Sequence, residues 1–390
     1  MSRTTIVVAF LDKAWPPEHS FVDGMLAGEL AEQRHLRVRL IVSRTNNVDT
    51  APRRYRRACC LPSLYPRRRV GRLLNLLVAM GLILYQTRRE QRPGRRVVLF
   101  VRNDPVCLLA ASLLRGRVDH LVFQSSFPHE QYSGNVLKRT IARYLYRGAG
   151  IGVDAVMGVS PEGTARARRL CPSASNGGYI PLLADEQISS QMVDGRKIDP
   201  AVGPIFVYVG THSRNRELRV VLSAIVRALK EGIIARFRFV GANHDEENQL
   251  LAVDGVRGSV KSGLIRFERP LPRSEIANLL ANCDVGISLI PPRQVYYESS
   301  PTKLAEYMGA GLAVIASRGI PMQERFVQES GGGILVDWTS DAIVQGIVEL
   351  AENPDQIVRL GRRSATYAKE ALQYGAYLQQ FCKTLSIDAD

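Results

Sequence analysis

Acidic side chains are nearly missing from one stretch of this 390-residue chain: residues 53–96 hold thirteen arginines and a single acid, Glu90. The imbalance is confined to one half. Residues 1–200 carry 31 Lys and Arg against 16 Asp and Glu, whereas residues 201–390 carry 21 of each, so the formal charge of +15 belongs wholly to the first half. Such a block needs a polyanionic partner or it is simply solvated. Metal-binding patterns are also missing. The six cysteines (59, 60, 107, 171, 283 and 382) have no ligand spacing, and the six histidines form no metal-binding pair. Free thiols in a reducing cytosol are the expectation, with no metal site. Long apolar runs are short here too. Leu73–Tyr85 has thirteen residues, where a bilayer-spanning helix needs about twenty. Met1–Leu11, stopped by Asp12 and Lys13, reads as a first strand rather than a signal peptide. No convincing Ser-His-Asp or Cys-His arrangement stands out.

What is present is a repeating alternation. Apolar strands at Thr4–Phe10, Val38–Val42, Val97–Val101, Leu121–Gln124 and Val153–Val159 are separated by helical stretches. After a Ser-, Gly-, Asp- and Pro-rich segment over 173–204, read as a linker, the pattern restarts. Strands then fall at Ile205–Val209, Arg236–Val240, Leu264–Phe267, Val285–Leu289, Leu312–Ala316 and Gly333–Val336. This argues for α/β structure with parallel sheets. The reading is two doubly wound, Rossmann-like domains across a central cleft, with ligands beyond the carboxyl ends of the strands. The domains are 1–185 and 204–365.

The most informative segment is Glu298-Ser-Ser-Pro-Thr-Lys-Leu-Ala-Glu306-Tyr-Met-Gly-Ala-Gly311. Ser300 is the expected N-cap, with Pro301 at the first helical position and Glu306 almost two turns in. A helix N-terminus offers free N–H groups and a positive dipole end, which suits a phosphate. The loop therefore has an anion site with a hydroxyl acceptor on each side. A nucleoside diphosphate sugar has that layout: sugar hydroxyls, pyrophosphate, ribose hydroxyls.

This segment resembles the Glu-x7-Glu signature of retaining GT-B glycosyltransferases of family 4, in its Ser-Pro-Thr-Lys-Leu-x-Glu-Tyr form. The resemblance is good over residues 204–345 and general over 1–180. It implies that Glu306 holds the ribose, that Glu298 contacts the donor sugar, and that loop amides hold the diphosphate in the segment of Ser300 and Thr302, where Lys303 is either a further cation or a solvent-facing residue of the helix. Many members carry Gly-Arg after the first strand of the second domain, with Lys five residues on. Here Gly210 is followed by Thr211, and Arg216 stands where the Lys would be, with Arg214 as a second cation. His129, followed by Glu130, is the counterpart of a strand-end histidine that approaches the transferring sugar. The glycine pair usual after the first strand is missing; only Gly24 precedes the helix. The last helix, 367–385, is expected to pack back onto the first domain.

The implied activity is retaining transfer of a sugar from a UDP- or GDP-linked donor to a saccharide acceptor, with no cofactor beyond that co-substrate and no metal. The acceptor read here is lipid-linked, as in cell-surface or exopolysaccharide synthesis. Residues 67–96 then face an anionic membrane surface, which places a cytoplasmic protein peripherally on the inner face of the cell membrane. The other reading of Leu73–Tyr85 is a core helix with solvated basic ends. Two rival functions stay open. One is a non-transferring relative such as a sugar-nucleotide epimerase. The other is a basic nucleic-acid binder, although no nucleic-acid motif surrounds the arginine block.

Overall fold

The structure, a computed structural model, describes residues 3–14, 19–43, 58–63, 69–126, 128, 135–184 and 197–388. It divides into two compact units. The first comprises Met1–Leu182, Glu298–Ser300 and Tyr374–Asp390; the second comprises Leu183–Tyr297 and Pro301–Gln373.

In the first unit seven strands form one parallel sheet in the order β3-β2-β1-β4-β5-β6-β7. They are β1 (Arg3–Ala14), β2 (Leu36–Ser43), β3 (Ala58–Ser63), β4 (Arg95–Arg102), β5 (His120–Ser125), β6 (Ala155–Gly158) and β7 (Ser175–Tyr179). The central strands are continuous apolar runs because both faces are covered: Val97, Val98, Leu99, Phe100 and Val101 of β4 are all buried. Val97, Leu99 and Val101 share a core with Ile83, Leu108, Phe123, Tyr146 and Ala167.

Two strands lie where the sequence shows no apolar alternation. β3 falls inside the arginine-rich stretch and pairs in register with β2, Val38 opposite Ala58. β7, Ser-Asn-Gly-Gly-Tyr, falls inside the segment read as a linker. It forms because its glycines admit close neighbours. A side chain at Gly177 would meet Thr384, and the carbonyl of Gly177 accepts from Thr384 Oγ1 at 2.9 Å.

Leu73–Tyr85 lies within a helix, Arg69–Glu90, that packs on the sheet and on the Pro105–Leu113 helix. Ile83, Gln86, Thr87 and Glu90 are buried, whereas Leu77 and Tyr85 are exposed. The block's one acid is fixed there: Glu90 accepts from Thr5 Oγ1 at 3.2 Å and pairs with Arg39 at 3.2 Å and Arg95 at 3.5 Å. Among the described residues, no helix is long and apolar enough to cross a membrane.

The second unit has six parallel strands in the order β10-β9-β8-β11-β12-β13. They are β8 (Ile205–Val209), β9 (Arg236–Val240), β10 (Ile265–Glu268), β11 (Val285–Ser288), β12 (Ala313–Ser317) and β13 (Gly333–Val336). Its core gathers Phe206, Phe237, Phe239, Leu222, Ile225, Ile287 and Ile343.

The unit boundaries differ from those read in the sequence at two places. The helix Pro354–Ala371 stays with the second unit, because Gly361 lies against the backbone of Gly311 and Ser364 donates to the Gly332 carbonyl at 2.9 Å. The chain joins the first unit only from Tyr374, whose ring packs edge-on against Phe21 at 6.0 Å. The second difference concerns Glu298–Ser300, which belong to the first unit.

Candidate functional site

The signature segment divides at Pro301. On its second-unit side the helix runs Thr302–Gly309, with Pro301 as N-cap and no side chain capping it. Ser300 is therefore not the cap. Its hydroxyl instead accepts from the backbone N–H of Leu182 at 2.9 Å, within the first unit. With the helix starting at Thr302, Glu306 lies one turn in rather than almost two. The first-turn N–H groups carry no side-chain acceptor, which is the state an anion can use.

Glu306 is buried at 4% exposure, and its Oε2 lies 2.7 Å from Lys303 Nζ. The lysine is half-exposed, so one charge of the pair reaches solvent. Thr302 is half-buried beside it.

Tyr307 fixes this helix to the sheet. Its ring is fully buried, and its hydroxyl oxygen accepts from the N–H of Val209, the last residue of β8, at 2.8 Å. Burial holds the phenol pKa well above its ordinary value, against the lowering effect of that bond. A side chain at Gly286 on β11 would collide with the base of the Tyr307 ring. One hydrogen bond thus ties the helix of Glu306 and Lys303 to the residue preceding Gly210.

After Gly210 the chain passes through Thr211 to a short turn, Arg214–Arg216, and enters the helix Leu218–Lys230. Arg214 is exposed. Arg216 is half-buried, its guanidinium 4.9 Å from the centre of the Tyr296 ring. That stacking is suited to a planar cation and leaves the N–H edges available. Glu217 adopts a left-handed conformation (φ 50°), rare for a side-chain-bearing residue, and pairs with Arg293. No side chain caps the helix that follows.

His212 is a residue the sequence reading passed over. It is 4% exposed and stands edge-on to Tyr208, Phe239 and Phe267. Nδ1 lies 2.9 Å from the Gly210 carbonyl, so it carries the proton, while Nε2 is buried without a partner. Burial holds the imidazole pKa below its ordinary value, against the raising effects of that carbonyl, Glu246 and Glu247. The cue was a histidine two residues past a strand-end glycine among aromatic strands. Asn243, in the loop after β9, closes a capping box with Glu246.

On the first-unit side, Glu298 is clamped. Arg166 Nε stands 2.6 Å from its Oε2, with both side chains about 95% buried, and Arg169 approaches the other oxygen at 3.9 Å. The Glu298 carbonyl accepts from Ser160 Oγ at 3.0 Å. Arg166 lies on the helix Pro161–Leu170, which Ser160 caps through Gly163 N–H. Nothing in the spacing of residues 160–170 marked Arg166 as a partner for Glu298.

His129 and Glu130 lie outside the described residues. The strand-end turn at Arg102 is built: Arg102 reaches His19 Nε2 at 3.0 Å, and Asn103 and Ser126 exchange two bonds of 2.7 Å. Asp104 accepts from Cys107 N–H at the start of the next helix. Gly24 has a packing reason, since a side chain there would enter the ring of Tyr374. Among the described residues no His, Cys, Asp and Glu group could hold a metal ion, and Cys107, Cys171, Cys283 and Cys382 are buried.

Residues 203–353 match the family model for glycosyl transferases group 1. The match spans β8, the arginine turn and the whole Glu298–Glu306 segment, and the chain is accordingly an enzyme of the glycosyltransferase class. No curated protein matches the chain. Among solved structures, sucrose-phosphate synthase from Thermosynechococcus elongatus is similar at a TM-score of 0.71 and 16% identity, covering 98% of each chain. Anabaena HepE in complex with UDP-glucose is similar at a TM-score of 0.65 and 14% identity, covering 98% of this chain and 99% of that one. The alpha,alpha-trehalose 6-phosphate synthase of Burkholderia multivorans follows at 0.66 and 13%, covering 99% and 96%. At such identities the likeness carries the fold, which is GT-B.

Proposed function

We propose that this glycosyltransferase moves a sugar, with retention of configuration, from a nucleotide sugar to a saccharide acceptor. The observation that carries the reading is the hydrogen bond between Tyr307 and Val209, which joins the uncapped helix of Glu306 and Lys303 to the Gly210 loop. Glu306 accepts from the ribose hydroxyls. The helix N–H groups, with Lys303, Arg216 and Arg214, bind the diphosphate, and Ser300 and Thr302 belong to the same segment. Glu298 contacts the donor sugar, and His129, outside the described residues, is the candidate to donate to a hydroxyl of that sugar.

In the reaction the bond from the anomeric carbon to the diphosphate oxygen breaks. A bond to the acceptor oxygen forms on the same face, and the acceptor proton passes to the leaving diphosphate. Cations and helix amides stabilise the charge that develops there. This chemistry asks for no cofactor and no metal. A uridine donor is the first to test, since HepE is recorded with UDP and with UDP-glucose.

The finer reading has a lipid-linked acceptor in cell-surface or exopolysaccharide synthesis, and a cytoplasmic enzyme at the inner face of the membrane. The net charge of the first half supports it. The decisive experiment incubates the protein with UDP- and GDP-sugars and candidate acceptors, and reads the anomeric configuration of the product by NMR. Transfer with inversion, or donor epimerisation without transfer, would overturn the reading.

A further inference from the structure

The helix Val136–Gly150 in the first unit has two apolar faces. One is packed: Tyr146, Ala149 and Gly150 are buried, and the Tyr146 ring lies 5.6 Å from that of Phe123. The opposite face carries Leu137, Ile141 and Tyr144, at a spacing of four and three residues that stacks them in one stripe. They are exposed at 66%, 49% and 69%, and Ile151 continues the stripe at 78%. Leu113 is also exposed, at the end of the helix against which this one packs. Isolated exposed apolar residues are ordinary; a stripe of them along one helix marks an interaction surface.

Its charge says what covers it. Residues 135–151 contain Lys138, Arg139, Arg143 and Arg147 and no acid. Among the described residues none of these cations pairs with an acid. Lys138, Arg143 and Arg147 are exposed beside the stripe. A second copy laid face to face on this surface would bring six cations together without an acid between them. An anionic bilayer supplies the missing charge and accepts the apolar side chains at the same time. Tyr144 suits the headgroup level, with an apolar ring and a polar tip.

We propose that the outer face of the Val136–Gly150 helix docks the first unit on an anionic lipid bilayer. The membrane contact of the functional reading above is thereby placed on this helix rather than on residues 67–96. The inference deepens that reading but is tested without it, because binding is measured apart from transfer.

The full-length protein is sedimented with vesicles of mixed phosphatidylglycerol and phosphatidylcholine, and with phosphatidylcholine alone. Binding to the mixed vesicles only is expected. Leu137→Ser/Ile141→Ser/Tyr144→Ser should abolish it with an unchanged unfolding midpoint, since all three side chains are exposed. Lys138→Gln/Arg143→Gln/Arg147→Gln should weaken it by about fivefold per cation, and added salt should have a smaller effect on that variant. Absence of binding by the native protein at low salt overturns the proposal. So does full binding by the serine variant, or loss of binding only in Arg88→Gln/Arg89→Gln/Arg92→Gln. A native dimer that the serine substitutions split, with no vesicle binding, would assign the stripe to a second copy instead. Transfer by an enzyme that ignores vesicles would sink this proposal and leave the transferase reading standing.

Discussion

Arg166 and Glu298, 132 positions apart in sequence, form a buried ion pair at 2.6 Å within the first unit. It anchors the first residue of the signature to a helix cap at Ser160; Glu298–Ser300 belong to the first unit, and the signature from Pro301 on belongs to the second.

Breaking that pair leaves a buried charge uncompensated. Arg166→Met is expected to destabilise the protein by about 3–5 kcal/mol. The double variant Arg166→Met/Glu298→Leu should regain most of the loss, because no lone charge remains. Urea unfolding of both variants measures it; equal losses would mean the pair is not buried in solution.

Glu306→Ala should weaken nucleoside diphosphate binding by roughly 1.5–3 kcal/mol, through the lost charged acceptor. Titration calorimetry with UDP and GDP reads this. Lys303→Ala should weaken the same ligands as well. A gain in affinity would show that Lys303 serves only to neutralise Glu306.

Gly286→Ala places a methyl group against the base of the Tyr307 ring. That ring is fully buried, so it must move as a unit. A cost of about 1–3 kcal/mol in stability is expected from such overpacking. The shift would also loosen the Val209 bond, so nucleotide affinity should fall with it. A destabilised variant that binds normally would uncouple Tyr307 from the site.

His212 sets a pH dependence. Its folded pKa lies below the unfolded value, so the native imidazole stays neutral while the unfolded one takes a proton. The contribution is full above an unfolded pKa of about 6.5 and declines as pH falls below it. The stability difference between the native protein and His212→Phe should therefore shrink from about pH 8 to about pH 5. A constant difference would show that His212 does not titrate in this way.

Apolar runs announced the strands of both sheets wherever helices cover both faces, as in Val97–Val101 and Ile205–Val209. β7 gave no such signal, because its Gly177 and Gly178 are there for Thr384 and Gln380, which lie more than 200 positions away. The signature helix was legible, since Pro301, Gly309 and Gly311 are local features. Its cap was not, because the hydroxyl of Ser300 answers to Leu182.

The sequence by itself determined the alternating α/β pattern, the charge asymmetry and the Glu298–Glu306 spacing, all of which depend on neighbours along the chain. Only the tertiary structure decided which partner each carboxylate meets. Glu306 finds Lys303 one helical turn away, but Glu298 finds Arg166 through the packing of a distant helix. It also decided which apolar residues of Val136–Gly150 are core and which are surface. Helical periodicity sorts residues onto faces, and only packing against Phe123 and its neighbours covers one face and leaves Leu137, Ile141 and Tyr144 in water.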